Sequence, residues 1–142
     1  MVIYVCSPLR STHDRSQAQH QQDARHYMAE VLNLGHSPIV PHLLLTQVLD
    51  DDSPIDREVG IRAGLELLGT ADEVWVFGPY LSEGMRREVR FARVRGTPVR
   101  WFPGGRVAGG HEITVDWIHL RGADGKIVDA EGDALVPAGR PD

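Results

Sequence analysis

Four short runs rich in β-branched and aromatic residues recur along this chain, and their spacing constrains the fold more than any other feature. They are Val2–Cys6 (VIYVC), Ser37–Val40 (SPIV), Glu73–Phe77 (EVWVF) and Thr97–Phe102 (TPVRWF). Each has the length and composition of a buried strand. Helical patterns fill the gaps. From about His13 to Leu34, the residues Ala24, Tyr27, Met28, Val31 and Leu32 recur at helical spacing, and Gly35 closes the segment. Ser53-Pro54 followed by Asp56 supplies a cap, a first-turn proline and a first-turn acid. That helix is predicted to reach about Leu68 with Val59, Ala63 and Leu67 inward. A third helix is predicted from Ser82 to Gly96, with Met85, Val89 and Ala92 as its buried stripe. Strand and helix alternate, so the predicted fold is α/β: a mainly parallel sheet, covered on both faces and joined by right-handed crossovers.

A length of 142 residues suits one domain with a real core. Residues 1–102 form the predicted α/β core. Residues 103–142 read as an extension of the same domain. There PGGRVAGG is a loop, Glu112–Leu120 alternates like a strand, and Lys126–Asp129 is placed to pair with it. The end, EGDALVPAGRPD, reads as loose. The net charge of −5 gives no broad footprint for a nucleic-acid polymer. The lone Cys6 permits no disulfide within the chain. No stretch is apolar enough for a membrane span, and MVIYVCSPLR has no basic region ahead of its apolar run. The expected location is the cytoplasm.

Several motifs resolve to structural readings. PGGRVAGG lacks the Lys-Ser/Thr of a phosphate-binding loop, and SPLRST after the first strand is not GxGxxG, so no dinucleotide cofactor is expected. HEITVDWIH places its histidines at strand rather than zinc-helix spacing, and Asp50-Asp51-Asp52 reads as a solvated loop before a capped helix. No metal is expected. Trp75, Trp101 and Trp117 read as core, and Cys6 as a small buried apolar group.

Ligands of such sheets bind at the carboxyl ends of the strands. Ser7–Arg10, Pro41–Leu43 and Gly78–Gly84 fall there, which selects Ser7, Arg10, His42, Gly78, Ser82 and Gly84 as candidates. Arg10 is either a surface arginine or a fork for a phosphate or carboxylate. His42 either faces a pocket or bonds loop backbone. Ser82 reads equally as a plain N-cap, and Asp72 as a loop residue before EVWVF. Glu88 stands out because it falls within the apolar stripe of its helix. It is either a buried carboxylate, which needs partners or a raised pKa, or a surface glutamate among Arg86, Arg87 and Arg90.

The order IYVCSP, then AD-EVWVF, then S-x-G-x-x-x-E-x-x-x-A over Ser82–Ala92 resembles the nucleoside 2-deoxyribosyltransferase superfamily. Within it, the 2'-deoxynucleoside 5'-monophosphate N-glycosidases look most similar. The resemblance spans about residues 1–102. It implies a flavodoxin-like (Rossmann-like), doubly wound fold and active sites often completed by a second copy of the chain, here expected as a homodimer. It also implies a nucleotide or nucleoside substrate. Glu88 corresponds to the catalytic nucleophile, and Tyr4, Asp72, Ser82 and Arg10 to substrate-binding positions. Ser82 stands where transferases acting on free nucleosides carry aspartate. The loop SPLRSTHD lacks that branch's glycines, and PHLLLTQVLDDDSP is longer than its usual connection. Transfer between free nucleosides, a nucleotide-binding module without turnover, and a structural role for a paired Glu88 are the alternative readings.

Overall fold

The computed structural model describes residues 1–107 and three short strand segments, 113–114, 120–121 and 127–128. Four strands are parallel: β1 (Val2–Cys6), β2 (Ser37–Ile39), β3 (Glu73–Phe77) and β4 (Val99–Phe102). The fifth, β5 (Ile113–Thr114), runs antiparallel beside β4, giving the order β2-β1-β3-β4-β5. β6 (Leu120–Arg121) and β7 (Ile127–Val128) form a separate antiparallel pair. The extension predicted as one strand and a partner thus contributes β5 to the main sheet and β6 to a hairpin with β7. Trp117 and the final EGDALVPAGRPD lie outside the described residues.

Every residue of β3 is buried, because helices cover both faces of the sheet. Successive side chains of a strand point to opposite faces, and the core divides accordingly. Ile3, Val5, Trp75, Phe77 and Phe102 meet Ala24 and Val31 of α1 (Gln17–Asn33). Tyr27 of α1 stacks on Phe77 with ring centroids 4.5 Å apart. Tyr4, Cys6, Val74 and Val76 meet Met85, Val89 and Ala92 of α4 (Glu83–Arg95) together with Leu68 of α3 (Pro54–Leu68). This is the doubly wound arrangement. Trp75 and Trp101 are core residues, at 5% and 7% exposure. Among the described residues no helix is long and apolar enough to cross a membrane.

Caps set the helix limits. Ser16 accepts from Gln19 N and starts α1 three residues after the predicted His13, leaving 13–16 as loop. Ser82 caps α4 by accepting from Met85 N, and Gly96 ends it with φ 75°, a left-handed conformation that glycine adopts without strain. In α3 the inward face is turned by about one residue from the predicted one: Leu67 still packs half-buried against the core and Ala63 is half-buried, but Val59 is not inward. Val59 is 37% exposed, whereas Gly64 and Leu68 are buried. The cause is steric: a Cβ at Gly64 would sit 3.1 Å from the Tyr4 hydroxyl, so the helix turns its bare glycine toward β1. The connection after β2 also holds an unpredicted pair of turns, α2 (Pro41–Leu44) and a 3₁₀ turn (Leu45–Gln47).

Candidate active site

The loops leaving β1, β2 and β3 and the first turns of α3 and α4 enclose a pocket of about 270 Å³. This lies just below the range of roughly 300–1,000 Å³ usual for small-molecule sites. Tyr4, Arg10, His42, Ser82, Gly84 and Glu88 all line it. Glu88 reaches it from α4, a turn beyond the Ser82 cap. Its neighbours Met85 and Val89 are 1% and 0% exposed, so the helix is held by its apolar stripe while the carboxylate turns toward the pocket.

The Tyr4 hydroxyl donates to Glu88 Oε1 at 2.9 Å. Glu88 keeps some exposure toward the pocket, but Oε2 is closed to solvent and has no hydrogen-bond partner among the described residues. Burial pushes the Glu88 pKa up to about 7, against the opposing pull of the nearby Cys6 thiol, which itself points to the Met85 carbonyl at 3.9 Å, and of the hydrogen bond from the Tyr4 hydroxyl. Burial, and then the facing Glu88 charge, raise both Tyr4 and Cys6 well above their ordinary values, so both stay protonated and can donate. Of the arginines flanking Glu88 in sequence, Arg87 turns to Glu58 at 3.1 Å. The carboxylate is therefore a half-buried group with a tyrosine partner, near neutrality in its titration.

His42 satisfies both of its readings: it lines the pocket, and its Nε2 donates to the Ser7 carbonyl at 2.7 Å. Burial lowers its pKa, with the Ser7 bond opposing, which leaves Nδ1 of the neutral ring as an acceptor. Arg10 is an exposed rim residue whose Nε lies 3.7 Å from Asp51 Oδ2. A side chain at Gly84 would meet no atom within 4 Å, so this position opens into free space.

Three candidates fall elsewhere. Ser7 is fully buried and does not line the pocket; its carbonyl positions His42. Gly78 has φ 106° and turns the chain out of β3, while its carbonyl accepts from Trp101 Nε1 at 2.8 Å. Asp72 lies at the amino end of β3, opposite the pocket. It is exposed, and its Oδ2 accepts from Val2 N at 2.7 Å, which pins the start of β1. Its placement as a substrate-binding residue is corrected on that ground: the whole length of β3 separates it from the strand ends that carry the site.

Residues 1–102 match the family model described as a domain of unknown function, DUF7768. The chain belongs to the DUF7768 family. No curated protein matches it. Among solved structures it is similar to the 2-deoxyribosyltransferase of the psychrotolerant bacterium Bacillus psychrosaccharolyticus, at 21% identity over 75% of this chain and 76% of that one, with a TM-score of 0.52. That likeness establishes the flavodoxin-like fold.

In this DUF7768 member the pocket also holds residues that sequence reading missed. Asp51, Asp56, Arg57 and Tyr80 all line it. Asp51 belongs to the acidic run read as solvated loop, and Arg57 to a helix start read only for its cap. Neither has a periodicity that marks a pocket wall. Tyr80 does follow β3 directly, so position at a strand end was the one available signal. Among the described residues, no group of three or more His, Cys, Asp or Glu is arranged to hold a metal ion.

Proposed function

We propose that this domain is a nucleotide N-glycosidase that cleaves the base–sugar bond of a nucleoside 5'-monophosphate through Glu88. The observation that carries the reading is the Glu88 carboxylate itself: half-buried at the ligand edge of the sheet, oriented through one oxygen by Tyr4, with the other oxygen uncommitted. A carboxylate poised in this way suits attack on an anomeric carbon as positive charge develops there. Its lone pair forms the bond to that carbon, and the base departs with the electrons of the glycosidic bond. Water then hydrolyses the glycosyl ester and frees Glu88. The Tyr4 hydroxyl fixes the carboxylate's direction throughout. Ser82 and the first amides of α4 face the phosphate, and Arg10 adds a charge-assisted contact from the opposite loop. Residues 1–102 carry this machinery, with 103–142 as an extension of the same domain. The structural neighbour named for deoxyribosyl transfer supports glycosidic chemistry in general.

A second reading is transfer between free nucleosides, and one observation favours it. The lining carries Asp51, Asp56, Glu83 and Glu88 against Arg10 and Arg57, an acidic balance that suits an uncharged sugar. Incubation with a panel of nucleotides and nucleosides, with chromatography for free base, tests both. Base released from monophosphates alone supports the glycosidase. Exchange onto an added free base moves transfer ahead. Binding with no release of base leaves a nucleotide-binding module.

The pH profile is a sharper check on Glu88. The nucleophile must be ionised, so kcat/KM is expected to rise through an acid limb near pH 7. Tyr4→Phe removes one hydrogen bond that favours the ionised form. Its limb is expected at higher pH, which costs activity at pH 6 but little at pH 9. A limb that does not move would detach Tyr4 from the nucleophile.

The pocket is also proposed to be closed by a second copy of the chain. Leu44, Val48 and Ile55 are exposed at 53%, 87% and 78%, interleaved with the lining residues Leu45, Leu49 and Asp56. Large apolar side chains beside an open pocket favour association. Light scattering is expected to give twice the chain mass of 15.7 kDa. A monomer at micromolar concentration would count against the dimer.

A further inference from the structure

At the pocket mouth one acid forms long ion pairs with two arginines and hydrogen-bonds to neither. Asp51 Oδ2 is 3.7 Å from Arg10 Nε and 3.8 Å from Arg57 NH1. Both distances exceed hydrogen-bond length. The oxygen is nevertheless closed to solvent and has no hydrogen-bond partner among the described residues. A carboxylate in this position loses hydration and gains ion-pair attraction without a hydrogen bond to offset it fully. The arginines come from separate elements, Arg10 from the loop after β1 and Arg57 from the first turn of α3. Arg57 is held near Asp51 by the turn that caps α3, in which Asp50 N donates to Asp56 and Ser53 N to the Asp50 carbonyl, whereas Arg10 arrives from a loop about 40 residues away in sequence. Both are pocket-lining residues.

We propose that Arg57 and Arg10 form a two-armed clamp for the phosphate monoester of the substrate, and that Asp51 is the internal carboxylate the phosphate displaces. This rests on the nucleotide reading above and adds to it a second cationic arm and a built-in competitor. Two guanidiniums facing one point suit a phosphate better than a carboxylate. A phosphate offers three terminal oxygens and up to two charges, so each arginine can take its own oxygen at full hydrogen-bond length. Asp51 Oδ2 reaches both arginines only at ion-pair distance, 3.7 and 3.8 Å, and hydrogen-bonds to neither. Asp51 lies in the run Asp50–Asp52, whose outer members are exposed, so it has a solvated position to move to. The clamp also answers the acidic balance of the lining. With Asp51 turned out to solvent, the mouth beside Ser82 presents two positive groups.

The competitor makes a prediction that an ordinary binding residue does not: removing its charge tightens binding. The test is calorimetric titration of the full chain carrying Glu88→Gln, which preserves the substrate. A nucleoside 5'-monophosphate, the matching nucleoside and inorganic phosphate are each titrated into three proteins: this background alone, with Arg57→Gln, and with Asp51→Asn. Arg57→Gln is expected to weaken the monophosphate about 10- to 100-fold and to change the nucleoside less than about twofold. Asp51→Asn is expected to strengthen the monophosphate by roughly 3- to 10-fold and leave the nucleoside unchanged. Inorganic phosphate should follow the monophosphate in sign. Melting curves confirm that each variant is folded, and Arg57→Lys, which keeps the charge, is expected to recover part of the loss. Weaker monophosphate binding in Asp51→Asn, or equal losses for nucleoside and monophosphate in Arg57→Gln, overturns the clamp. The two readings fail separately. Glu88-dependent base release that is indifferent to Arg57 removes the clamp and keeps the glycosidase. Arg57-dependent discrimination of the monophosphate, without base release by the unsubstituted protein, keeps the clamp and removes the glycosidase.

Discussion

Glu88→Gln is expected to abolish base release, by roughly 1,000-fold or more, in a protein that is folded and more stable than the original at alkaline pH. The amide keeps the size of the carboxylate but has no ionised oxygen to attack with. The stability claim follows from the titration of Glu88. Its pKa is about 7 in the folded protein, against an ordinary value of 4.5. The folded state therefore holds the proton more tightly than the unfolded chain does. Below pH 4.5 both states carry it and there is no penalty. Between 4.5 and 7 the unfolded chain releases its proton first, so stability falls as pH rises. Above 7 the full penalty applies, at most about 3 kcal/mol. A neutral glutamine avoids it. The melting-temperature advantage of Glu88→Gln should be small at pH 5 and grow to several degrees at pH 8. A variant with measurable turnover sinks the nucleophile. An advantage that does not change with pH shows that the carboxylate is not strained in the folded state.

The preference for a phosphate should be equally visible. Ser82 lines the pocket and its oxygen caps α4; under the proposed function its hydroxyl donates to the phosphate. Aspartate caps as well as serine does, so Ser82→Asp keeps α4 and adds only a negative charge at the phosphate position. The substitution is expected to reduce or reverse the preference for the monophosphate over the matching nucleoside. Arg10 is exposed on the rim, so Arg10→Ala should not disturb the fold. One charge-assisted contact contributes about 1.5–3 kcal/mol, so the variant should lose roughly 10- to 150-fold in kcat/KM for the monophosphate and far less for the nucleoside. The measurement is kcat/KM for both substrates in the three proteins. If the unsubstituted protein prefers the nucleoside, or Arg10→Ala weakens both substrates equally, the phosphate assignment is wrong and transfer becomes the better reading.

These expectations draw on two kinds of information. Local sequence was enough for the order of elements and for most of their limits. EVWVF could only be a buried strand, Ser82 and Gly96 bracketed α4, and Met85, Val89 and Ala92 marked its inner face, so the anomaly of Glu88 could be read from spacing alone. These are short-range properties, set by caps, turn residues and periodicity within a few residues of chain. The brief α2 escaped because a four-residue helix shows no period. The rotation of α3 escaped because a buried glycine leaves no apolar mark.

Pairings across the chain were decided by tertiary structure. Tyr4 and Glu88 stand 84 residues apart, and they meet because parallel pairing of β1 with β3 sets the height of Tyr4 and Gly64 leaves room for its hydroxyl. Asp72 was a weaker candidate than Glu88, resting on its place before EVWVF, and the direction of β3 puts it at the wrong end of the sheet. Asp51 looked like solvent-exposed loop until α3 brought Arg57 alongside it. Sequence spacing carries the local geometry of each element. Which side chains share a pocket depends on strand register, helix rotation and loop path together, and a one-residue change in any of them would place different groups there.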